Sequence, residues 1–500
     1  MERLKPFING HYVDSKTEKY TPVYDPSTGE QIAEAPSCTP AEVELAIKAA
    51  RDAFPAWAKT PVTKRVQVLF KFRELLEARL DDLTHMLCRE NGKNWDEGQG
   101  DILKVKEPVE VACGAPSLMM GESLMNVSDG FDTTLYREPI GVFAGIAPFN
   151  FPAMIPMGWM MPMCIATGNT LVLKVSQVTP MTSLHMVSML KEAGLPDGVV
   201  NVITCDNSEA EILLKHPDVN GVTFVGSTRV GRHVYKTAAE HGKRVQALCQ
   251  AKNHALVLED AALERTAAGI INSSFGCAGE RCMALPVIVV QDSIADALIA
   301  ELKRQIEKQT IGVAYDKSTN LGPIVSPKQK ESVLKWIETG IQEGAELILD
   351  GRNAVVEGYE NGFYVGHTIF DHVKPEMSLG QQEIFGPVLS IKRVPDFEAG
   401  LAEMNKNEFA NGSVIYTQSG YYAREFAFRT HGGMVGVNVG IPVPAGMFPF
   451  AGHKHSFFGD LHALGKDGLR FYTESKVVTT RWFDDEEAKK TTVSTWDGVL

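Results

Sequence analysis

From residue 141 onward the chain switches between short apolar runs and stretches of helical periodicity. No other feature limits the folds open to it as strongly. Gly141–Ile146 is apolar and a helical stretch follows. Then come Thr170–Leu173 with Lys174 at its end, a helix over Met181–Ala193, Val199–Ile203, a helix over Ser208–Lys215, and Gly221–Val225. Strands alternating with helices pair in parallel, because each helix carries the chain back across the sheet. A second series runs from about 254 to 440. It holds His254–Leu258, Leu285–Val290, helices over Ile294–Gln309 and Lys328–Glu343, Ala345–Leu349, and Glu383–Leu389 leading into a strand. Five hundred residues are too many for one core, so two or more domains are expected. Parallel sheets of this kind bind ligands outside the carboxyl ends of their strands.

The first 140 residues read differently. Residues 7–13 suggest a hairpin around Asn9-Gly10. Residues 40–58 and 62–90 are helical in period, with Pro40 and Pro61 near their starts, and 96–118 is a helix interrupted at Pro108. Met154–Ala166 is apolar but contains Pro156 and Pro162, which makes it a buried helix or turn. No window is apolar for long enough to span a bilayer, and Met1–Gly10 has no leader-like apolar core. A net charge of −13 argues against nucleic acid and anionic membrane as partners. The 8 cysteines show no C-x-x-C spacing, so no metal site is expected and a reducing, cytoplasmic setting follows.

Two windows carry chemistry. Phe275–Ala284 lies between a helix and a buried strand; it places two glycines shortly before Cys282 and a cation, Arg281, beside it. Such surroundings favour a thiolate and offer backbone N–H groups to an oxyanion, although a structural thiol is the competing reading. Gly226–Gly231 follows a strand and opens a helix, whose first N–H groups suit a phosphate. Its spacing matches neither G-x-G-x-x-G nor the P-loop, and an ordinary strand-to-helix turn explains it equally well. Lys174, at a strand end, is either a phosphate or ribose ligand or a solvated lysine.

Taken together, Pro148–Pro152, Lys174 with Ser176, Phe224–Gly231, Cys282 and Glu383–Pro387 resemble the aldehyde dehydrogenase superfamily over about residues 7–482. Gly114–Gly121, Ala251–His254, Gly279–Ala284 and Ser456–His462 are similar to its coenzyme-A-dependent branch acting on malonate and methylmalonate semialdehyde. The resemblance implies an α/β chain with a Rossmann-type NAD domain (1–118 and 139–247), an α/β catalytic domain (248–440) and small β oligomerisation elements (119–138 and 465–500) in a homotetramer. It implies Cys282 as nucleophile and Asn150, with the Cys282 N–H, as oxyanion donors. Ala147, Phe149, Lys174, Gln177, Ser227, Glu383 and Phe385 would hold NAD, and coenzyme A would be co-substrate.

Several positions depart from the family pattern. Hydrolytic members carry a glutamate four residues before the lysine matched by Lys252; here that position is Leu248, which cannot activate water, and the competing readings are an inactive enzyme or Glu383 or another carboxylate as base. A thioester on Cys282 would then await a second thiol. A substrate carboxylate beta to the aldehyde would leave as CO2 from the acyl stage. Arg281 is the candidate cation for it, joined by Lys104 where the family has a second arginine. An ion pair within the protein is the competing role for Arg281, and a solvated helix position for Lys104. Gln177 replaces a glutamate, which leaves NADP possible. Gln250 replaces a glycine and would crowd the thiol, with Cys249 and Cys277 nearby. Another short aldehyde, oxidised with or without acyl transfer, is the alternative reading.

Overall fold

The computed structural model describes residues 2–490; positions 491–500, part of the expected oligomerisation element, lie outside them. At the N-terminus Phe7–Ile8 and His11–Tyr12 form the expected hairpin, with Asn9 and Gly10 both at positive φ. The helix Pro40–Lys59 starts at a reciprocal cap: Thr39 accepts from the Glu42 N–H while the Glu42 carboxylate accepts from the Thr39 N–H. The expected helix over 62–90 is two helices, Val62–Ala78 and Leu80–Asn91, meeting at Arg79.

Helix α1 (Trp95–Cys113) corrects another expectation, because it runs straight through Pro108. A proline inside a helix costs about 3 kcal/mol. Burying Ile102, Val105 and Val109 on one face returns roughly 1.5–3 kcal/mol each, so packing wins. That face rests on the apolar segment Met154–Met160, a π-helical stretch that takes Pro156 within it and is followed by the helix Pro162–Ala166.

The first large sheet is built on β1 (Val142–Ile146), β2 (Thr170–Lys174), β3 (Val200–Ile203), β4 (Val219–Val225) and, after helix α2 (Thr228–Glu240), β5 (Arg244–Leu248). Its spatial order is Phe457–Gly459, β5, β4, β1, β2, β3, then the N-terminal hairpin. The core strands are parallel and buried on both faces, which explains their unbroken apolar runs. The chain leaves β1 on one side through β2 and β3 and returns on the other through β4 and β5. The crevice between the ends of β1 and β4 is therefore the switch point where such sheets receive ligands.

The second sheet has 7 strands. At its centre are β6 (His254–Val257), β7 (Val287–Gln291), preceded by helix α3 (Leu263–Phe275), β8 (Val388–Val394) and β9 (Gly412–Tyr416), all parallel. A third sheet joins Ser123–Ser128, Phe131–Pro139 and Thr473–Arg481 and stands almost free of the rest, with Met125, Val477 and Trp482 exposed. The segment Phe457–Gly459, which the sequence reading assigned to no domain, pairs antiparallel with β5. Among the described residues no helix is long and apolar enough to cross a membrane.

Candidate active site

The carboxyl ends of strands in the first large sheet lead to the amino ends of strands in the second. Loops 147–152 and 226–228 leave the carboxyl ends of β1 and β4. Loops 276–286 and 383–387 enter the amino ends of β7 and β8. Residues 249–253 link the sheets directly. These segments enclose a cavity of ≈ 190 Å³ lined by Phe149, Asn150, Ser227, Cys249, Gln250, Cys282, Glu383 and Phe385 among others. All eight were singled out from sequence, six as site residues and Cys249 and Gln250 as neighbours of the thiol, and they are brought together here.

Cys282 is held through its backbone. Its carbonyl accepts from Asn253 Nδ2 at 2.9 Å, and Gly279, at φ +72, packs so closely that a Cβ there would lie 2.1 Å from the Gly386 carbonyl oxygen. Cys277 and Ala278 also sit at positive φ, so the approach to the thiol is a strained left-handed turn. The thiol itself is pushed up to about 12, by burial first and by the charge of Glu383 second. Arg281 still favours the thiolate, as its place beside the thiol leads one to expect, but only weakly, and burial outweighs it. Its guanidinium turns away, over Gly276, to an ion pair with Glu97 at 3.1 Å, and its Nε donates to Cys277 Sγ at 3.1 Å.

Asn150 is buried. Its Nδ2 donates to the Glu280 carbonyl at 3.0 Å, two residues before the thiol, leaving the second N–H of the amide for another acceptor. Its own carbonyl accepts from Lys93, which pairs with Asp101 at 2.9 Å. Asp101 in turn accepts from the Met154 N–H, so one buried ion pair grips both ends of the Asn150 loop.

One wall of the cavity is aromatic. Phe149 and Phe385 meet edge to face, ring centroids 5.8 Å apart, and Phe385 holds φ +60. Ala147 donates its N–H to the Lys174 carbonyl at 3.0 Å, joining the ends of β1 and β2. Lys174 and Gln177 do not line the cavity. They lie along the carboxyl edge beside Asp206, where burial lowers the Lys174 ammonium pKa and Gln177 Nε2 is buried without a partner. Helix α2 begins after Ser227, whose side chain makes no cap bond; instead Gln250 Oε1 accepts from the Thr228 N–H at 3.1 Å.

Glu383 lines the cavity and Lys252 is buried near it, its ammonium without a hydrogen-bond partner. Burial raises the carboxyl to about 7, despite the Ala251 N–H donated at 3.2 Å, and lowers the ammonium to about 7. Leu248 is buried in the apolar cluster that also holds Met283 and against which Cys282 packs. Lys104 is exposed and paired with Glu107, so the structure does not bring it to the thiol. Sequence reasoning missed Lys93, Asp101 and Glu97. Their signal, a basic residue and two carboxylates within nine positions at the start of a helix, is ordinary on any surface.

A cysteine sulfur, a side-chain amide and a helix start thus share one cleft. The aldehyde dehydrogenase family profile matches residues 12–478. Malonate-semialdehyde dehydrogenase of Lacticaseibacillus casei is 47% identical over 96% of this chain and 97% of that protein. The crystal structure of methylmalonate-semialdehyde dehydrogenase from Oceanimonas doudoroffii is 42% identical and superposes with a TM-score of 0.95 over 97% of this chain and 99% of that one. An aldehyde dehydrogenase from Bacillus cereus in complex with NAD+ is 30% identical, with a TM-score of 0.91 over 96% and 97% of the two chains. Site, sheets and sequence agree, and the chain belongs to the aldehyde dehydrogenase family.

Proposed function

We propose that this chain oxidises malonate semialdehyde with NAD and transfers the acyl group to coenzyme A, releasing CO2 and yielding acetyl-CoA and NADH. Methylmalonate semialdehyde would give propionyl-CoA by the same route. The single observation that carries the acylating part is Leu248: an apolar side chain fills the core where hydrolytic relatives carry their water-activating glutamate.

The cleft suits a dinucleotide on its own residues. The start of α2 offers a positive helix end, Lys174 and the orphaned Gln177 amide lie along the carboxyl edge, and the Phe149–Phe385 pair walls the side toward Cys282. Ser227, Lys174, Gln177, Ala147, Glu383 and Phe385 would hold NAD, which supplies the hydride acceptor when bound. Asp206 keeps a carboxylate beside Gln177 and Lys174, so a further phosphate there would meet repulsion, and NAD is favoured over NADP.

Cys282 Sγ attacks the aldehyde carbon. Burial disfavours the free thiolate, so the thiol proton passes to solvent water as the carbon–sulfur bond forms. The free N–H of Asn150 and the backbone N–H of Cys282 receive the oxyanion. After oxidation the acyl group remains on Cys282 as a thioester. The beta carboxylate leaves as CO2, its electron pair passing toward the thioester carbonyl, and the resulting enolate takes a proton from water at carbon to leave the acetyl thioester. Water finds no base at Leu248. Glu383, the carboxylate among the lining residues, is held by the Ala251 N–H and assigned to the cofactor ribose. A second thiol, that of coenzyme A, completes transfer because thiols ionise more readily than water.

One observation favours a broader substrate range. Arg281 is committed to Glu97 and Lys104 to Glu107, so a substrate carboxylate must displace an internal one. Aldehydes lacking that carboxylate are the second reading. The exposed three-stranded sheet, with its open edge Thr473–Arg481 and bare Met125, Val477 and Trp482, supports assembly into a homotetramer. Eight unpaired cysteines support a reducing, cytoplasmic setting.

The deciding experiment supplies malonate semialdehyde and NAD with and without coenzyme A and follows NADH and acetyl-CoA. NADH limited to one equivalent per subunit until coenzyme A is added supports acyl transfer. Sustained turnover without it overturns the proposal. Equal kcat/KM for propanal favours the second reading.

A further inference from the structure

Gln250 lines the cleft at the start of α2. Its Oε1 accepts from the Thr228 N–H at 3.1 Å, and its own backbone N–H donates to Thr228 Oγ1 at 3.3 Å, so the first amide of α2 is already satisfied by a neutral internal acceptor. The same carboxamide lies against the Glu383 carboxylate and lines the cavity with Cys282. The bond is local and well supported. Cys249 packs directly on α2, since a Cβ on Gly231 would lie 2.3 Å from its sulfur, and this pins the backbone of residue 250 beside the helix start. Ser227, the residue placed to cap that helix, leaves it uncapped.

We propose that Gln250 is a built-in tenant of the nucleotide cleft, a specificity-determining residue whose carboxamide stands in for a cofactor phosphate oxygen at Thr228 and tethers Glu383. Cofactor binding must break both contacts. The inference rests on the cofactor site proposed above and deepens it: this chain spends part of its dinucleotide affinity on expelling its own side chain. A hydrogen bond exchanged in this way is worth on the order of 1 kcal/mol, or a several-fold change in Kd. Gln250→Gly and Gln250→Ala vacate the site. Gln250→Glu keeps its volume and puts a negative charge where the phosphate must come.

The test measures NAD binding to the full-length wild type and the three variants by calorimetry, together with amide hydrogen exchange of the peptide covering 226–231 without cofactor. The expected result is a Kd lowered about three- to tenfold in Gln250→Gly and Gln250→Ala and raised in Gln250→Glu, with faster exchange at Thr228 in the two truncations. A Kd unchanged or raised in both truncations overturns the proposal, and would instead make Gln250 a direct ligand of the cofactor or a bystander. If no protein binds NAD, the cofactor assignment falls. The tenancy is then judged by exchange alone, and unaltered protection at Thr228 overturns it.

Discussion

Lys93 and Asp101 face each other at 2.9 Å with side chains 1% and 0% exposed, and between them they hold the loop that carries Asn150. Lys93 also lies 3.8 Å above the ring of Phe151, so its ammonium is packed as well as paired. Removing one member of such a pair strands the other charge in the core at about 3–5 kcal/mol. Asp101→Ala and Lys93→Met should each lower thermal stability markedly and cut kcat through loss of the Asn150 position. The double variant Lys93→Met with Asp101→Leu should recover much of the stability but not the rate. If stability and rate recover together, the pair serves packing alone.

The thiol turn makes a second demand. At Gly279 a side chain meets both a left-handed backbone, φ +72, and the Gly386 carbonyl oxygen 2.1 Å from its Cβ. Strain alone costs about 1–2 kcal/mol, and the contact forces the loop off its strand. Gly279→Ala should therefore fold with reduced stability and lose acylation of Cys282, read as the single-turnover NADH burst. An unchanged burst would mean that the thiol's position does not depend on this turn.

These two predictions show what was legible in the sequence. Cys282, Asn150, Phe149, Ser227, Glu383 and Phe385 converge on one cavity because each follows or precedes a strand whose apolar run is visible in one dimension. Arg281 was legible as a cation beside the thiol but not in direction. The left-handed turn at Cys277–Ala278 rotates it toward Glu97, and no local spacing announces that turn. Pro108 is the same lesson in the fold: local propensity said break, and burial of three large side chains overruled it. The antiparallel strand at 457–459 was invisible because three residues carry no periodicity, and only their pairing with β5 defines them.

Glu383 gives the pH dependence. Burial raises its carboxyl from 4.5 to about 7 in the folded chain. A raised folded pKa means that the folded state holds the proton more tightly. The associated stability is complete below about 4.5 and is lost as pH rises through 7. Glu383→Gln cannot lose that proton. Its stability relative to wild type should climb between pH 4.5 and 7 and level off above, measured by chemical unfolding across that range. A constant difference would place the titration elsewhere.

Asp206 offers a cofactor test. Its carboxylate lies beside Gln177 and Lys174 while Lys19 binds it from outside. Asp206→Asn removes the negative charge without changing shape. The ratio of kcat/KM for NADP over NAD should then rise about tenfold, the effect of roughly 1.4 kcal/mol less repulsion. A ratio that does not move would show that a 2′-phosphate is placed away from this edge.

Leu248 is the sharpest test of why the acyl group waits for a thiol. The residue ends β5, opposite Phe457, and its side chain belongs to the apolar cluster against which Cys282 packs. A carboxylate introduced there by Leu248→Glu would be buried, and burial raises a carboxyl toward neutrality, where it serves as a general base. Gln at the same position has the same size and cannot take a proton, so it controls for lost packing, which costs about 2–4 kcal/mol for a buried leucine. Leu248→Glu should show steady NADH formation without coenzyme A at a rate well above both wild type and Leu248→Gln, with free carboxylic acid as product. If Leu248→Glu binds NAD, gives a normal burst and still stops after one equivalent, the missing carboxylate is not what keeps water from the thioester. The geometry around Asn150 would then be the place to look.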